Sequence, residues 1–483
     1  MDKMLAEIIP PRILPKVFTT LDLVAIYVLV IMFIPNASAI QGAGAAGFLY
    51  WVLAFVTFLI PGAFIVGELG LMFPEEGSIY VWTNKAMGDF WGYFAGWMAW
   101  FPGMFVLGLT ASLFAAFAQT ALGTTFELTT LYGVMLACIW ISSLIGLARA
   151  RMSQNYVNLA FVVYLVGVVI IGFAGIAWLG AGNPPANPIN AAGLAPSWGT
   201  FWAFGVAILA LLGIEVPLNM GVEIVNKKSI TKHLLIGSLV LMFLYEFATW
   251  GTYMVIPAGT GDVVVAVIQA IQKAISPVLG LAVAAIIAFM MFANTTNYGY
   301  AFARLMFVAG IEKRFPLFMG HVNKKTRVPD VAILSQAAIA TIILLAMIGA
   351  GAVGSFYVIL SATITVIWCI SMVFLFIDVI LVRRKWPERA KAASIIPGGD
   401  VGRWIMMILG VASSIIGIYA IYLAPWTPSV SYNDWVSYIS VFTIATLVIG
   451  AVVYVTSQKR VKAISLERQL ELMEVEKLEK GGS

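Results

Sequence analysis

The sequence predicts an all-α polytopic membrane protein with twelve transmembrane helices. Spans one to five and six to ten are expected to form an inverted repeat in which helices one and six are broken. Three observations carry this expectation. The 483-residue chain is 61% hydrophobic and only 11% charged, with a mean hydropathy of +0.96. Twelve apolar stretches run along it, each near the ~20 residues that a helix needs to cross a bilayer. If these stretches cross alternately, every one of the 28 Lys and Arg residues except Lys273 falls on one side. That is the positive-inside bias. It places both termini in the cytoplasm and the chain in a cell (inner/cytoplasmic) membrane.

The spans read as 21–45, 48–72, 92–120, 130–148, 157–180, 201–224, 234–256, 278–303, 331–350, 356–381, 403–424 and 435–457. Residues 1–20 then form a cytoplasmic N-terminus, 21–180 the first repeat, 201–381 the second, 403–457 the last two spans and 458–483 a charged cytoplasmic tail. The tail has apolar residues at rough helical spacing and reads as a surface helix. The loops expected outside, 181–198 and 257–277, are long and nearly uncharged. The first holds four prolines and three asparagines and is irregular. No cleavable signal peptide is expected, because Asp2, Lys3, Glu7, Arg12 and Lys16 interrupt the first twenty residues.

Two spans carry a break. Pro35-Asn36-Ala37-Ser38 lies inside the first, and Gly213-Ile214-Glu215-Val216-Pro217 inside the sixth. Proline removes a backbone donor and clashes with the preceding turn. Within a bilayer, freed backbone groups must face protein, water or substrate. Interrupted helices at corresponding places in two halves point to a transporter's central site. Two acids lie deep in the spans, Glu215 in the second break and Glu246 near the centre of span seven. Intramembrane acids are expensive and mark sites by default. Either could carry a proton, face a cationic substrate, or simply accept hydrogen bonds from the chain. Glu68, Glu223 and Asp378 lie near the cytoplasmic ends and are expected to pair with loop amides or basic residues.

The most specific stretch is Glu68-Leu69, then Phe73-Pro74-Glu75-Glu76-Gly77, Tyr80, Trp82, Ala86 and Gly88. It resembles the first inner loop of the amino acid–polyamine–organocation (APC) transporters. Gly213-Ile214-Glu215 with Glu223, Arg304 with Phe315-Pro316, and Val328-Pro329 agree with the same family. The branch it most resembles is that of the glutamate–GABA antiporters. The resemblance implies a leucine-transporter-like fold and a secondary transporter that moves an amino acid or related amine by alternating access, proton-coupled or as an exchanger. A polyamine or cationic-amine carrier that binds ammonium groups with buried glutamates is the alternative. The resemblance places the substrate at Ile34, Pro35, Asn36, Ala37, Ser38, Gly213, Ile214 and Glu215, with Trp100, Tyr298 and Tyr357 as aromatic neighbours; Trp97 is a weaker candidate. Asn294 and Thr295 supply oxygens of the kind that sodium-coupled relatives use, so Glu215, Glu246, Asn294 and Thr295 are the candidates for proton or cation coupling. One departure matters. The family's Gly-x-Gly run in helix one reads Phe33-Ile34-Pro35 here, which weakens the usual carboxylate clamp and favours an amine.

Other classes are disfavoured. The two histidines, His233 and His321, and the two cysteines, Cys138 and Cys369, form no metal pattern. No phosphate loop, nucleophilic triad or channel filter is present, so neither an enzyme nor a channel is expected. No cofactor and no nucleic acid are expected; the basic residues are topology signals. The partners are a small molecule, a proton or sodium ion and the lipid bilayer, with homo-oligomerisation left open.

Overall fold

In the computed structural model, residues 4–260, 262–349, 356–426 and 430–461 are described. Nearly all of the predicted tail lies outside them. Among the described residues every element is helical, and the sole extended pairing is an isolated bridge between Phe18 and Ile224.

Two short helices, α1 (Leu5–Ile8) and α2 (Pro10–Ile13), precede the first span. That span is the pair α3 (Thr20–Ile31) and α4 (Pro35–Gln41), bent by 46° at the intervening residues. Thr19 caps α3 by accepting from the Asp22 amide, and the Asp22 carboxylate accepts from the Thr19 amide in return, a reciprocal capping box. α5 (Ala46–Ala54) runs through one π-helical turn into α6 (Ile60–Met72). Then come α7 (Ser78–Met87), the 34-residue α8 (Asp89–Leu122), α9 (Leu128–Gly146), α10 (Ala150–Gly180) and the short α11 (Ala191–Leu194). Predicted span six is α12 (Trp202–Leu209), a non-helical stretch, and a 3-10 segment Val216–Glu223. It is followed by α13 (Lys228–Val255), α14 (Ala266–Ala274), α15 (Pro277–Ile311), α16 (Asp330–Gly349), α17 (Phe356–Lys385), α18 (Pro387–Ala392), α19 (Gly399–Ile421) and α20 (Tyr432–Val461).

Nine described helices are long and apolar enough to cross a membrane, ten if the bent α3–α4 pair counts as one span. The two remaining predicted spans are span six, which is cut into pieces too short to cross alone, and the apolar α16. The 257–277 region differs from expectation too. It contains α14, whose Val267, Ile268, Ala270 and Ile271 are buried, so it is a capping helix rather than open loop.

The long α8 and α15 form the most extensive pairing, and α17 with α19 the next. Around them the basic loops converge on one end of the bundle. Glu7 bonds Lys85 at 2.7 Å and approaches Arg389 at 3.5 Å. Glu68, fully buried in α6, takes Arg403 and Arg383 and the amides of Ile395 and Ile396. Asp22 takes Arg151, and Asp89 takes Arg314. Asp378 accepts from Thr83. The N-terminal strap is tied here by main chain: the Val17 and Phe18 amides donate to the Glu223 carbonyl, and the Val225 amide donates to the Phe18 carbonyl. Lys273 stands apart, its ammonium donating to the Val255 carbonyl and lying over the Trp178 ring.

Candidate functional site

The two breaks meet. In the first, Met32, Phe33 and Ile34 leave the helix before Pro35 restarts it as α4. In the second, Gly213 sits at φ +108°, where a Cβ would also lie 2.6 Å from Val30 Cγ1. Only glycine tolerates both demands. Broken helices expose carbonyls that must find donors in a dry interior. Here the donors come from neighbouring helices. The Tyr298 hydroxyl of α15 donates to the Val30 carbonyl at 2.6 Å. The Tyr245 hydroxyl of α13 reaches the Ile31 carbonyl at 2.7 Å and that of Ala210 at 3.2 Å, and it accepts from the Phe33 amide at 3.1 Å. Tyr164 of α10 donates to the Met32 carbonyl, and the Asn294 amide to that of Leu29. One tyrosine, Tyr245, therefore bonds both breaks.

A small cavity opens between them, lined by Phe33, Asn36, Leu212, Tyr298, Tyr357, Ser361 and Trp368 among others. About 20 Å³ is open to the centre of a water, room for little more than one molecule. This conformation is closed around its centre. Glu215 lies in the adjoining break and is buried. Its Oε1 accepts from Trp368 Nε1 at 2.9 Å, while its Oε2 has no hydrogen-bond partner among the described residues. Two neighbouring hydroxyls, Ser38 Oγ and Ser361 Oγ, are buried without side-chain partners as well. Tyr357 donates to Asn36 Oδ1 at 3.3 Å. Phe33, Tyr298, Phe302 and Trp368 form a chain of aromatic contacts along the same wall.

The sequence candidates divide accordingly. The structure gathers Pro35, Asn36, Ala37, Ser38, Gly213, Glu215, Tyr298 and Tyr357 at the breaks. Ile34 is buried at the bend, and Ile214 turns its side chain to Gly62 of α6. Others go elsewhere. Trp100 donates to Gln336 of α16 and packs on Trp97, Phe101 and Phe315. Trp97 itself donates to the Thr446 carbonyl of α20. Thr295 turns to α8, where its hydroxyl donates to Thr110 Oγ1, so it does not join Asn294 at the break. Glu246 is only partly buried and makes no hydrogen bond or ion pair among the described residues. A helix turns about 100° per residue, so Tyr245 and Glu246 cannot both face the centre, and it is Tyr245 that does.

Trp368, Tyr245 and Ser361 stand at the breaks and were passed over in the sequence reading. A signal for one of them existed. Ser238, Tyr245, Thr249 and Thr252 recur at spacings of seven, four and three along α13, a polar stripe on an otherwise apolar helix. Ser238 meets Tyr27, and Thr249 meets Trp51.

Residues 18–449 match the amino acid permease family. The chain belongs to the amino acid permease family. The permease motif read at Glu68–Gly88 is thus part of a likeness that runs almost from end to end. The permease is 29% identical over 236 residues to a probable agmatine/putrescine antiporter of Lactococcus lactis, covering 48% of this chain and 50% of that one. It spans about half the length of that relative. It is 24% identical over 410 residues to the glutamate/gamma-aminobutyrate antiporter of the same organism, 80% of each chain. Over 84 residues, 17% of each chain, it is 39% identical to a probable polyamine transporter of Arabidopsis thaliana.

Proposed function

We propose that this permease is a secondary transporter that carries a small amine-bearing molecule by alternating access around the paired breaks. The fold in this reading has twelve spans, a five-plus-five inverted repeat, and both termini on the cytoplasmic side, where the basic residues gather. The observation that carries it is Glu215: a buried carboxylate between two broken helices, with one oxygen held by Trp368 and the other free of partners among the described residues. A substrate ammonium is the fitting occupant for such an oxygen.

The break itself favours an amine without a carboxylate. Pro35 has no amide, the Phe33 amide is bonded to Tyr245, and the Asn36 and Ala37 amides donate to the Phe33 and Ile34 carbonyls. Little is left to hold a carboxylate, which Glu215 would also repel. The amine named for one relative and the polyamine named for another fit this reading. An amino acid remains the second reading, supported by the antiporter that matches over most of its length.

A ligand that binds only the folded state raises its apparent stability by mass action. Thermal unfolding of the purified protein with putrescine, agmatine, glutamate, gamma-aminobutyrate or serine separates the two. Stabilisation by the two amines alone supports the amine reading. Stabilisation by carboxylate-bearing ligands alone overturns it. Failure of all of them, together with no saturable counterflow in liposomes, overturns the transporter reading itself.

A further inference from the structure

At the basic end, beneath the breaks, a second polar cluster lies outside the central site. Glu76 comes from the loop between α6 and α7, Glu223 ends the 3-10 segment, and Arg304 projects from α15. All three are 0% exposed. Sequence reading placed Arg304 with the loop after span eight; it is instead a buried member of the helix. Its guanidinium Nε and Nη2 meet Glu223 Oε1 at 2.9 Å, and Nε lies 3.6 Å from Glu76 Oε1. Its Nη1 donates to the Tyr300 carbonyl.

The charges do not balance. Two carboxylates share one guanidinium in a fully buried place. Among the described residues, Asp22 on α3 has Arg151, Lys85 on α7 has Glu7, and Glu75 lies 3.5 Å from Arg389. The Tyr300 hydroxyl is bonded to Gln154 Oε1. An uncompensated buried charge is expensive. Two carboxylates this close cannot both ionise cheaply. Both acids approach the same Arg304 Nε, and Glu76 Oε1 and Glu223 Oε2 have no hydrogen-bond partner among the described residues. Two carboxyl groups can bond to each other only by sharing a proton. Burial, and then the charge of Glu223, hold the Glu76 carboxyl well above the usual carboxylate range.

We propose that Glu76 and Glu223 together bind one proton over Arg304, and that this proton locks the basic-end mouth closed. The pair titrates as a unit, so the proton belongs to both acids. The lock follows from where the partners sit. Glu76 rides on the α6–α7 loop, while Glu223 belongs to the segment after the second break. The loop and segment interlock closely: the Gly77 amide donates to the Asn219 carbonyl, the Val222 amide to Glu76 Oε2, and a Cβ on Gly221 would lie 2.4 Å from the Glu75 carbonyl. Moving the segment away from the loop separates the acids. Each then meets water, and the shared proton leaves. The second half of this proposal rests on the alternating-access reading; the proton itself does not.

The test needs no substrate. Infrared spectra of the purified protein at pH 7 are expected to show the C=O stretch of a buried protonated carboxylic acid that is lost in Glu76→Gln and in Glu223→Gln. Each variant keeps one carboxylate for Arg304, so each is charge-balanced, and two independent variants guard against misfolding of either. Survival of the band in both, or its absence in the wild type, overturns the proton. Hydrogen exchange at residues 216–225, corrected for intrinsic amide rates, reads the lock. Wild-type protection is expected to fall as pH rises and the pair ionises, and this dependence should vanish in Glu76→Gln. An unchanged dependence in that variant overturns the lock while leaving transport to be judged by counterflow.

Discussion

Replacing Tyr245 with phenylalanine removes one oxygen and tests whether that hydroxyl joins the two broken helices. The ring volume is kept, and so is its stacking on Trp51, at 4.3 Å between centroids, so no cavity cost enters. What is lost is the donor to the Ile31 and Ala210 carbonyls and the acceptor for the Phe33 amide. The amide retains a short-range partner in the Ile31 carbonyl at 3.0 Å, so the larger loss is on the carbonyl side. A buried hydrogen bond contributes about 1 kcal/mol net, and a buried group left without a partner costs about 1–3 kcal/mol. The expected destabilisation is therefore about 2–3 kcal/mol. Tyr298→Phe is the internal comparison. It loses one bond, to the Val30 carbonyl, and is expected to cost about 1–2 kcal/mol. Denaturant unfolding of both variants in the same mixed micelles gives the difference. A cost for Tyr245→Phe below about 1 kcal/mol, or no larger than that of Tyr298→Phe, refutes the bridging role.

Gly213→Ala should destabilise by about 2–3 kcal/mol, because φ is +108° and the new methyl would press on Val30; thermal unfolding measures it. Glu68→Gln should cost about 3 kcal/mol or more, because Arg403 and Arg383 lose a fully buried partner. Trp368→Phe should weaken ligand-induced stabilisation roughly tenfold in apparent Kd, since it removes the group that holds Glu215 Oε1. Burial, aided by the Glu7 charge, raises the Glu75 carboxyl to about 7. A raised acid binds more protons folded than unfolded between its two pKa values, so its contribution is fully present below about 4.5 and is lost as pH rises to about 7. Glu75→Gln should remove on the order of 2 kcal/mol of that decline, seen as a flatter stability profile against pH. The same profile should retain the opposite trend from Glu7. Burial works against the Glu7 charge, but the Lys85 ammonium and the Met4 amide outweigh it and hold the carboxyl below its usual range.

What could be read beforehand follows from which forces leave marks in sequence. The membrane class was legible because hydrocarbon imposes long apolar runs. The breaks were legible at Pro35, Gly213 and Pro217, because those residues act on their own backbone. Glu68 was legible as a paired acid, though its partners in α17 and α19 were not, since pairing across 300 residues has no local period. The same reason hid Trp368 as the donor to Glu215. Glu246 drew attention by its charge, yet the neighbouring Tyr245 carries the contact, because a helix face and not a residue type decides what reaches the centre. Thr295 was misplaced for the same reason, one residue from Asn294 and a quarter-turn away. The cut in span six was expected; its consequence, an eight-residue helix and a 3-10 turn in place of a full span, was not.

The strap before the first span has one more implication. Val17, Phe18 and Val225 join it to the chain after the second break through peptide groups alone. The basic-end portions of the two broken helices are thereby riveted into one lever, although they lie far apart in sequence. A rivet made of main chain is indifferent to side-chain drift, so the lever can persist while every residue around it changes. Proline is the exception, since it has no N–H to give. A proline at position 18 or 225 should remove one of the three bonds and loosen the coupling of the two portions.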